Sequence, residues 1–102
     1  MKVKNIKEIH IDGRRWFQKS YGNTYNTTKT LVVFNDGSTE EFTTSMKYGY
    51  GDHYKDVAVN NLVKNNILPK LKGDRSYYWS DFKDLKINMY YSAIDCLKRD
   101  LH

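Results

Sequence analysis

The chain has 102 residues, 39% of them hydrophobic and 15% aromatic, which allows one modest core and excludes a typical disordered chain. No apolar run approaches the roughly 20 residues that cross a bilayer, and residues 1–5 lack the apolar start of a secretory signal. One cysteine and three histidines exclude an intrachain disulfide and argue against a zinc site. We therefore expect a single cytoplasmic domain over residues 1–102, without membrane contact, metal or cofactor.

The charge balance is basic. There are 17 Lys and Arg against 12 Asp and Glu, a net charge of +5. Such a surplus of positive charge favours an anionic partner, such as a nucleic acid, a nucleotide or an acidic protein face. The alternative is that the lysines only keep the surface soluble. Composition also leaves homo-oligomerisation open.

The first half of the chain has the patterns of β-strands. Ile9 and Ile11 alternate with polar residues in a first predicted strand over 3–12. Residues 24–34 are rich in Thr, Val and Tyr, which favours a second strand. A third predicted strand, over 38–47, has Phe42, Thr44 and Met46 on one face.

Asp36 and Gly37 lie between the second and third predicted strands, and Asp-Gly is a strong hairpin signal. If these two residues form the whole turn, facing residue numbers sum to 73. Leu31 then faces Phe42, Thr27 faces Met46, and Tyr25 faces Tyr48. A bulge in strands of this length would shift the pairing by one residue.

The second half predicts one helix and one ambiguous segment. Asp52 is a good N-cap for a helix over 53–66, in which Tyr54, Ala58 and Leu62 recur at helical spacing. Residues 81–99 carry a polar stripe that favours a helix, whereas the alternation over 86–91 favours a strand, and we slightly favour the helix.

These elements predict an α+β fold, in which a small antiparallel sheet with a central Asp-Gly hairpin packs against one or two helices.

The predicted register brings several unusual residues to one end of the sheet. If the first two strands pair antiparallel, their connection lies beside the end of the third strand and the start of the helix. We call this set the rim and predict that it binds a ligand. Its residues are Arg14, Arg15, Trp16, Asn23, Thr24, Tyr25, Tyr48, Gly49, Tyr50 and Gly51.

The residue types at the rim suit a nucleotide or a nucleic acid. Arginine binds phosphate through two parallel hydrogen bonds, and Trp or Tyr rings stack on bases. A helix N-terminus attracts anions, and glycine allows the backbone to approach a ligand closely. There is also a purely structural interpretation, in which Trp16 is a core anchor, Gly49 and Gly51 only permit a sharp corner, and Asp52 occupies the helix N-terminus.

Little in the sequence favours catalysis. There is no phosphate-binding loop, no nucleophile-elbow serine and no histidine pair at metal-ligand spacing. Asp52 and His53 are adjacent, and adjacent side chains at a helix start do not face each other. We therefore expect a binding protein rather than an enzyme, with a nucleotide-processing enzyme as the least favoured hypothesis.

The rim motifs resemble those of a widespread group of small uncharacterised bacteriophage and prophage proteins. The similarity lies in an Arg-Trp-Phe run at 15–17, a Gly-Asn-Thr-Tyr box at 22–25 and a Tyr-Gly-Tyr-Gly box at 48–51, followed by a basic tail at 98–101. Asn26 stands where those proteins usually have a histidine. The resemblance implies a phage origin and, since small phage proteins often counter host immunity, a counter-defence role in the host cytoplasm.

Two counter-defence hypotheses follow. In the first, which we favour, the aromatic and basic rim binds a nucleotide or nucleic acid. In the second, the chain inhibits a host defence effector by direct protein–protein contact, as anti-CRISPR proteins do. Aromatic and arginine side chains also anchor protein interfaces, so composition does not separate the two hypotheses.

Overall fold

The computed structural model describes residues 5–69, 71 and 77–102, except for the side chain of Trp79. In chain order the described elements are β1 (Ile6–Gln18), β2 (Asn23–Phe34), β3 (Thr39–Tyr48), α1 (His53–Lys64), α2 (Trp79–Asp84), β4 (Asn88–Asp95) and a 3₁₀ turn (Lys98–Asp100). The four strands form one sheet in the order β3-β2-β1-β4. Neither helix in the described ranges is long and apolar enough to span a membrane.

The predicted α+β class is confirmed. β1 pairs antiparallel with β2, and β2 pairs antiparallel with β3, as the hairpin patterns indicated. The sheet is mixed rather than wholly antiparallel, because β4 pairs parallel with β1. A parallel neighbour requires the chain to cross back over the sheet, and the segment between β3 and β4 that contains both helices makes this crossing.

The β2–β3 turn contains three residues rather than two. The Phe34 N–H donates to the Ser38 carbonyl (2.9 Å), and Gly37 has a φ of +86°, which suits glycine. The extra residue shifts the register, so Thr30 faces Phe42 and Leu31 faces Glu41. The predicted Leu31–Phe42 pair is therefore wrong.

A bulge between Asn26 and Thr28 restores the predicted register at the far end of the hairpin. The Thr44 hydroxyl accepts the Thr28 N–H at 3.1 Å and lies 2.7 Å from the Thr28 hydroxyl. Beyond this point Tyr25 faces Tyr48, as predicted. The predicted Thr27–Met46 pair falls inside the bulge and is not formed.

The core lies between one face of the sheet and the two helices. Ile9, Ile11 and Val32 point from the sheet towards this side, and Leu62 of α1 and Phe82 of α2 cover them. Leu31 points to the opposite face and is 36% exposed. Because successive side chains of a strand alternate between faces, the one-residue register error also misplaced Leu31.

Helix α1 begins at His53, as predicted, and its residues Tyr54, Ala58 and Leu62 are buried. It ends at Lys64, two positions earlier than expected, and the following Asn66 has a φ of +61°. Asp52 is the residue before the helix, but its side chain makes no capping hydrogen bond. The Asp52 carboxylate instead lies 3.6 Å from the Lys55 ammonium group.

The favoured helix over 81–99 is wrong, and the alternative strand is closer to the structure. Residues 79–84 form the short helix α2, and residues 88–95 form β4. Eight consecutive residues of β4 pair with β1, while Ile87 is buried and Met89 packs against the core. Pairing with a neighbouring strand therefore outweighed the local helical pattern.

Candidate functional site

The face of the sheet opposite the helices, which we call the open face, carries a row of aromatic side chains at one end. In the strand register Trp16 faces Tyr25, and Tyr25 faces Tyr48. The Trp16 and Tyr25 rings are stacked with centroids 5.6 Å apart, and the Tyr25 and Tyr48 rings meet edge-on at 5.8 Å. We call these three residues the aromatic ladder. It crosses three adjacent strands and forms part of the predicted rim.

The ladder remains accessible from the open face. Tyr48 is 63% exposed, and Trp16 and Tyr25 are half-buried. In an edge-to-face pair, one ring keeps both of its faces uncovered by the other. Tyr50, a further rim residue, is 76% exposed just beyond β3. The aromatic residues of the rim are thus surface groups rather than core anchors.

The two predicted arginines point to opposite faces of the sheet, because they are adjacent on β1. Arg15 lies on the helix side, where its Nη1 donates to the Gly51 carbonyl at 3.1 Å and its Nε lies 3.0 Å from Asp95 Oδ1. Arg14 lies on the open face, where its Nη1 donates to the Asp100 carbonyl at 2.7 Å. Both guanidinium groups therefore have partners within the chain and do not form a joint phosphate clamp.

The glycine-rich corner between β3 and α1 is tied to the sheet. The Gly49 N–H donates to the Thr24 carbonyl at 2.9 Å, and the Asn26 side-chain amide donates to the Gly49 carbonyl at 3.3 Å. Gly51 has a φ of +61°, a conformation that favours glycine. Its carbonyl accepts the bond from Arg15. The two glycines therefore shape the corner, in agreement with the structural interpretation of that part of the rim.

Residues 97–102, the final segment, cross the middle of the open face. The His102 N–H donates to the Thr27 hydroxyl at 2.8 Å, and the His102 Nε2 lies 3.1 Å from the Asp12 carbonyl oxygen. Thr27 is only 2% exposed although it points away from the helices. The final segment thus covers the centre of the open face and leaves the aromatic ladder at one end.

A surface trough of about 800 Å³ adjoins the ladder at Trp16. Lys98 of the final segment lies over the Trp16 ring, with its ammonium nitrogen 5.3 Å from the ring centroid. The Asp95 carboxylate in the wall is already paired with Arg15. Lys19 and Lys98 therefore dominate the charge of the trough. The trough is lined by Trp16, Phe17, Gln18, Lys19, Ser20, Thr24, Asp95, Cys96, Leu97 and Lys98.

Comparisons of the chain with protein-family models, curated proteins and solved structures found no match. The site must therefore be interpreted from its own geometry. Among the described residues, no group of three or more His, Cys, Asp and Glu side chains could hold a metal ion.

Two pKa shifts lie near the site. Burial, with the Asp52 carboxylate nearby, raises the pKa of the Tyr54 hydroxyl. Burial also raises the pKa of the Cys96 thiol, and the Asp100 carboxylate adds to this effect. Both shifts favour the protonated forms, so Cys96 in the trough wall is a weak nucleophile at neutral pH.

The structure brings the ten predicted rim residues to one end of the sheet but divides them between its faces. The ladder residues lie on the open face with Arg14, while Arg15 lies on the helix side beside the glycine corner. Asn23 and Thr24 begin β2, and both are half-buried. Sequence reasoning missed Lys19 and Lys98 as the cations of the trough. No pattern in the sequence indicated this placement, because it depends on the parallel pairing of β4 with β1.

Proposed function

We propose that this chain is a binding protein whose aromatic ladder and adjoining trough take a nucleotide or nucleic acid ligand. The observation that carries the proposal is the ladder of Trp16, Tyr25 and Tyr48, three rings in register on an open sheet face beside Lys98. Exposed aromatic rings beside cations are the usual means by which proteins hold unpaired bases and their phosphates.

Each part of the site has a separate role in this proposal. The exposed Tyr48 ring offers a base a stacking surface worth about 1–3 kcal/mol, and the Trp16 and Tyr25 rings, which stack on each other, support it from the side. The Lys19 and Lys98 ammonium groups attract phosphate, a role that Arg14 and Arg15 do not need to fill because both are already bound within the chain. The overall charge of +5 supports the encounter with an anion.

The resemblance of the sequence motifs to those of phage proteins supports a counter-defence role for this binding. A protein with such a site would act in the host cytoplasm, either by sequestering a nucleotide messenger or by masking a nucleic acid. Neither action requires a chemical step. The proposal therefore includes no enzymatic activity, cofactor or metal.

The test is a titration with nucleotides and oligonucleotides at low salt. Binding is monitored by intrinsic tryptophan fluorescence and by thermal shift. Tyr48→Ala should weaken binding by about 1–3 kcal/mol with little change in its salt dependence. Lys98→Ala should weaken binding and reduce the salt dependence, because one fewer counterion is released. Tyr90→Ala is the matched control, since Tyr90 is an exposed aromatic residue that stacks on His10 at 4.7 Å, away from the ladder.

A second candidate function is the inhibition of a defence effector by direct contact. It is favoured by the exposed aromatic residues that surround the ladder, Phe17, Tyr21 and Tyr50, because such residues often anchor protein interfaces. If the wild-type chain binds no nucleotide or nucleic acid at low salt, the first proposal fails. A stable complex with a purified defence effector, lost in Tyr50→Ala, would then support the second.

A further inference from the structure

We propose that the edge of β4 pairs with the same edge of a second copy of this chain and joins the two sheets into one sheet of eight strands. The pairing is antiparallel, about a two-fold axis perpendicular to the sheet. This inference goes beyond the proposed function, because the proposed ligand site lies within one chain. Three observations support it: the difference between the two sheet edges, the placement of the Tyr90 ring, and the match of β4 with itself.

The two edge strands of the sheet, β3 and β4, differ in protection. An edge strand has unpaired backbone N–H and C=O groups along one side, and charged residues or bulges hinder its pairing with another chain. β3 carries Glu40, Glu41 and Lys47 and has a bulge. β4 pairs with β1 over eight consecutive residues without a bulge, and its one charged residue, Asp95, is bound to Arg15. β4 is therefore the less protected edge.

The space beside β4 can accommodate another strand. In the part of the chain that the structure describes, no further strand lies beyond β4. On the helix side, a trough of about 640 Å³ lies between β4 and α2. On the open face, a trough of about 420 Å³ adjoins Tyr90 and Ser92. Side chains of an added strand alternate between the two faces, so both troughs give them room.

The Tyr90 ring is oriented towards such a neighbour. Tyr90 faces His10 in the register with β1, and the two rings stack with centroids 4.7 Å apart and planes 13° apart. This distance is close to the strand spacing of about 4.8 Å, so the ring faces are directed along the order of the strands. His10 covers the face towards β1. The opposite face points to the edge, and Tyr90 is 49% exposed.

β4 matches itself when Ser92 faces Ser92 of the second copy. Met89 and Ala93 pack against the core, so the alternating residues Tyr90, Ser92 and Ile94 lie on the open face. The two-fold axis keeps the open faces of both copies on one side, and Tyr90 then faces Ile94 of the second copy. Ile94 is 54% exposed, and a pair of an aromatic and a β-branched residue stabilises neighbouring strands. The axis forms this pair twice.

The charge of the chain determines how the dimer should respond to salt. Each copy carries a net charge of +5, so two copies repel each other, and salt screens this repulsion. Dimerisation should therefore strengthen as salt is added, whereas binding of a nucleic acid weakens. One pair of strands forms a small interface, and small interfaces are weak. We therefore expect a dissociation constant in the micromolar range.

The experiment is sedimentation velocity of the full chain across the micromolar range, at low and at moderate salt. We expect a monomer–dimer equilibrium that shifts towards the dimer with salt. Ser92→Lys places two like charges at the centre of the interface and should weaken the dimer by about tenfold or more. Tyr90→Ala should also weaken it, without changing the affinity of each chain for its ligand. The matched control is Ser45→Lys, the same substitution on exposed β3, which should leave the dimer unchanged.

A cross-linking measurement tests the register. Directly facing residues of antiparallel strands have Cα atoms about 4.5–5.5 Å apart, within the range of about 4.4–6.8 Å that a disulfide spans. Ser92→Cys in a Cys96→Ala background should therefore form a disulfide-linked dimer under mild oxidation. Ser45→Cys in the same background is the control. Equal cross-linking at both positions would contradict the pairing centred on Ser92. Melting curves verify that each variant is folded.

Three further outcomes would overturn the inference. A chain that stays monomeric at every concentration and salt would reject the dimer and leave the proposed function standing. A dimer that Ser45→Lys weakens more than Ser92→Lys would assign the interface to β3. A complex of the monomeric chain with a defence effector, lost in Ser92→Lys, would assign the β4 edge to a strand of that partner rather than to a second copy.

Discussion

The two faces of the sheet are built from the same strands but differ in burial: the helix side forms the core, and the open face carries the proposed binding residues. On the helix side, Ile9 and Val32 are fully buried under α1 and α2. On the open face, the neighbouring Leu31 is 36% exposed, and Tyr48 of the aromatic ladder is 63% exposed. Because side chains alternate along a strand, one sequence can place its stabilising residues on one side and its recognition residues on the other. The ladder residues therefore lie outside the core, and the exposed Tyr48 ring can contact a ligand without loss of core packing.

Replacing a residue on each face should show the largest difference between them. Ile9→Ala leaves a cavity under the helices and should lower the free energy of unfolding by about 2–5 kcal/mol. Leu31→Ala, on the same pair of strands but on the open face, should cost less than about 1 kcal/mol. Urea denaturation of both variants measures this difference. Similar losses would mean that the open face is also part of the core.

Gly13 tests how closely the helix side is packed. An added Cβ at Gly13 would lie 2.4 Å from Tyr54 Cδ2, well inside contact distance. Gly13→Ala should therefore destabilise the fold by about 1–3 kcal/mol.

The control for Gly13→Ala is the same substitution in a Tyr54→Ala background, where the clash is absent. Thermal or urea unfolding of the four proteins in this cycle gives the coupling between the two positions. If Gly13→Ala costs the same in both backgrounds, contact with the Tyr54 ring is not the reason for glycine at this position.

The smallest expected effect concerns the final segment, the only cover that the described residues place on the centre of the open face. Thr27→Val removes the hydroxyl that accepts the His102 N–H while keeping the side-chain shape. The change should lower stability by about 0.5–1.5 kcal/mol and speed amide hydrogen exchange in residues 98–102.

Thr43→Val is the matched control for this segment. Thr43 is an exposed residue of β3, and its replacement should leave exchange in the final segment unchanged. If Thr27→Val also leaves that exchange unchanged, the bond to Thr27 does not hold the segment on the sheet.

Sequence reasoning was most successful where short-range patterns determine structure. The alternation around Ile9 and Ile11, the Asp-Gly turn and the start of α1 at His53 are local signals, and all appear in the structure. The pairing of Tyr25 with Tyr48 was also predicted. The assumed two-residue turn was wrong by one residue, and the bulge at Thr27 compensated for it, because turn length and bulges depend on hydrogen bonds that the residue pattern does not specify.

The sequence alone therefore determined the α+β class, the hairpin, the main helix and the meeting of the rim residues at one end of the sheet. Only the tertiary structure decided that residues 88–95 form a strand, that Arg14 and Arg15 are bound within the chain, and that Lys98 lies beside Trp16. The first group depends on the conformational preferences of neighbouring residues. The second depends on contacts between residues about 80 positions apart, such as Arg15 with Asp95. These contacts stabilise the fold only once the sheet is assembled, because β4 must first pair with β1 to bring the side chains together.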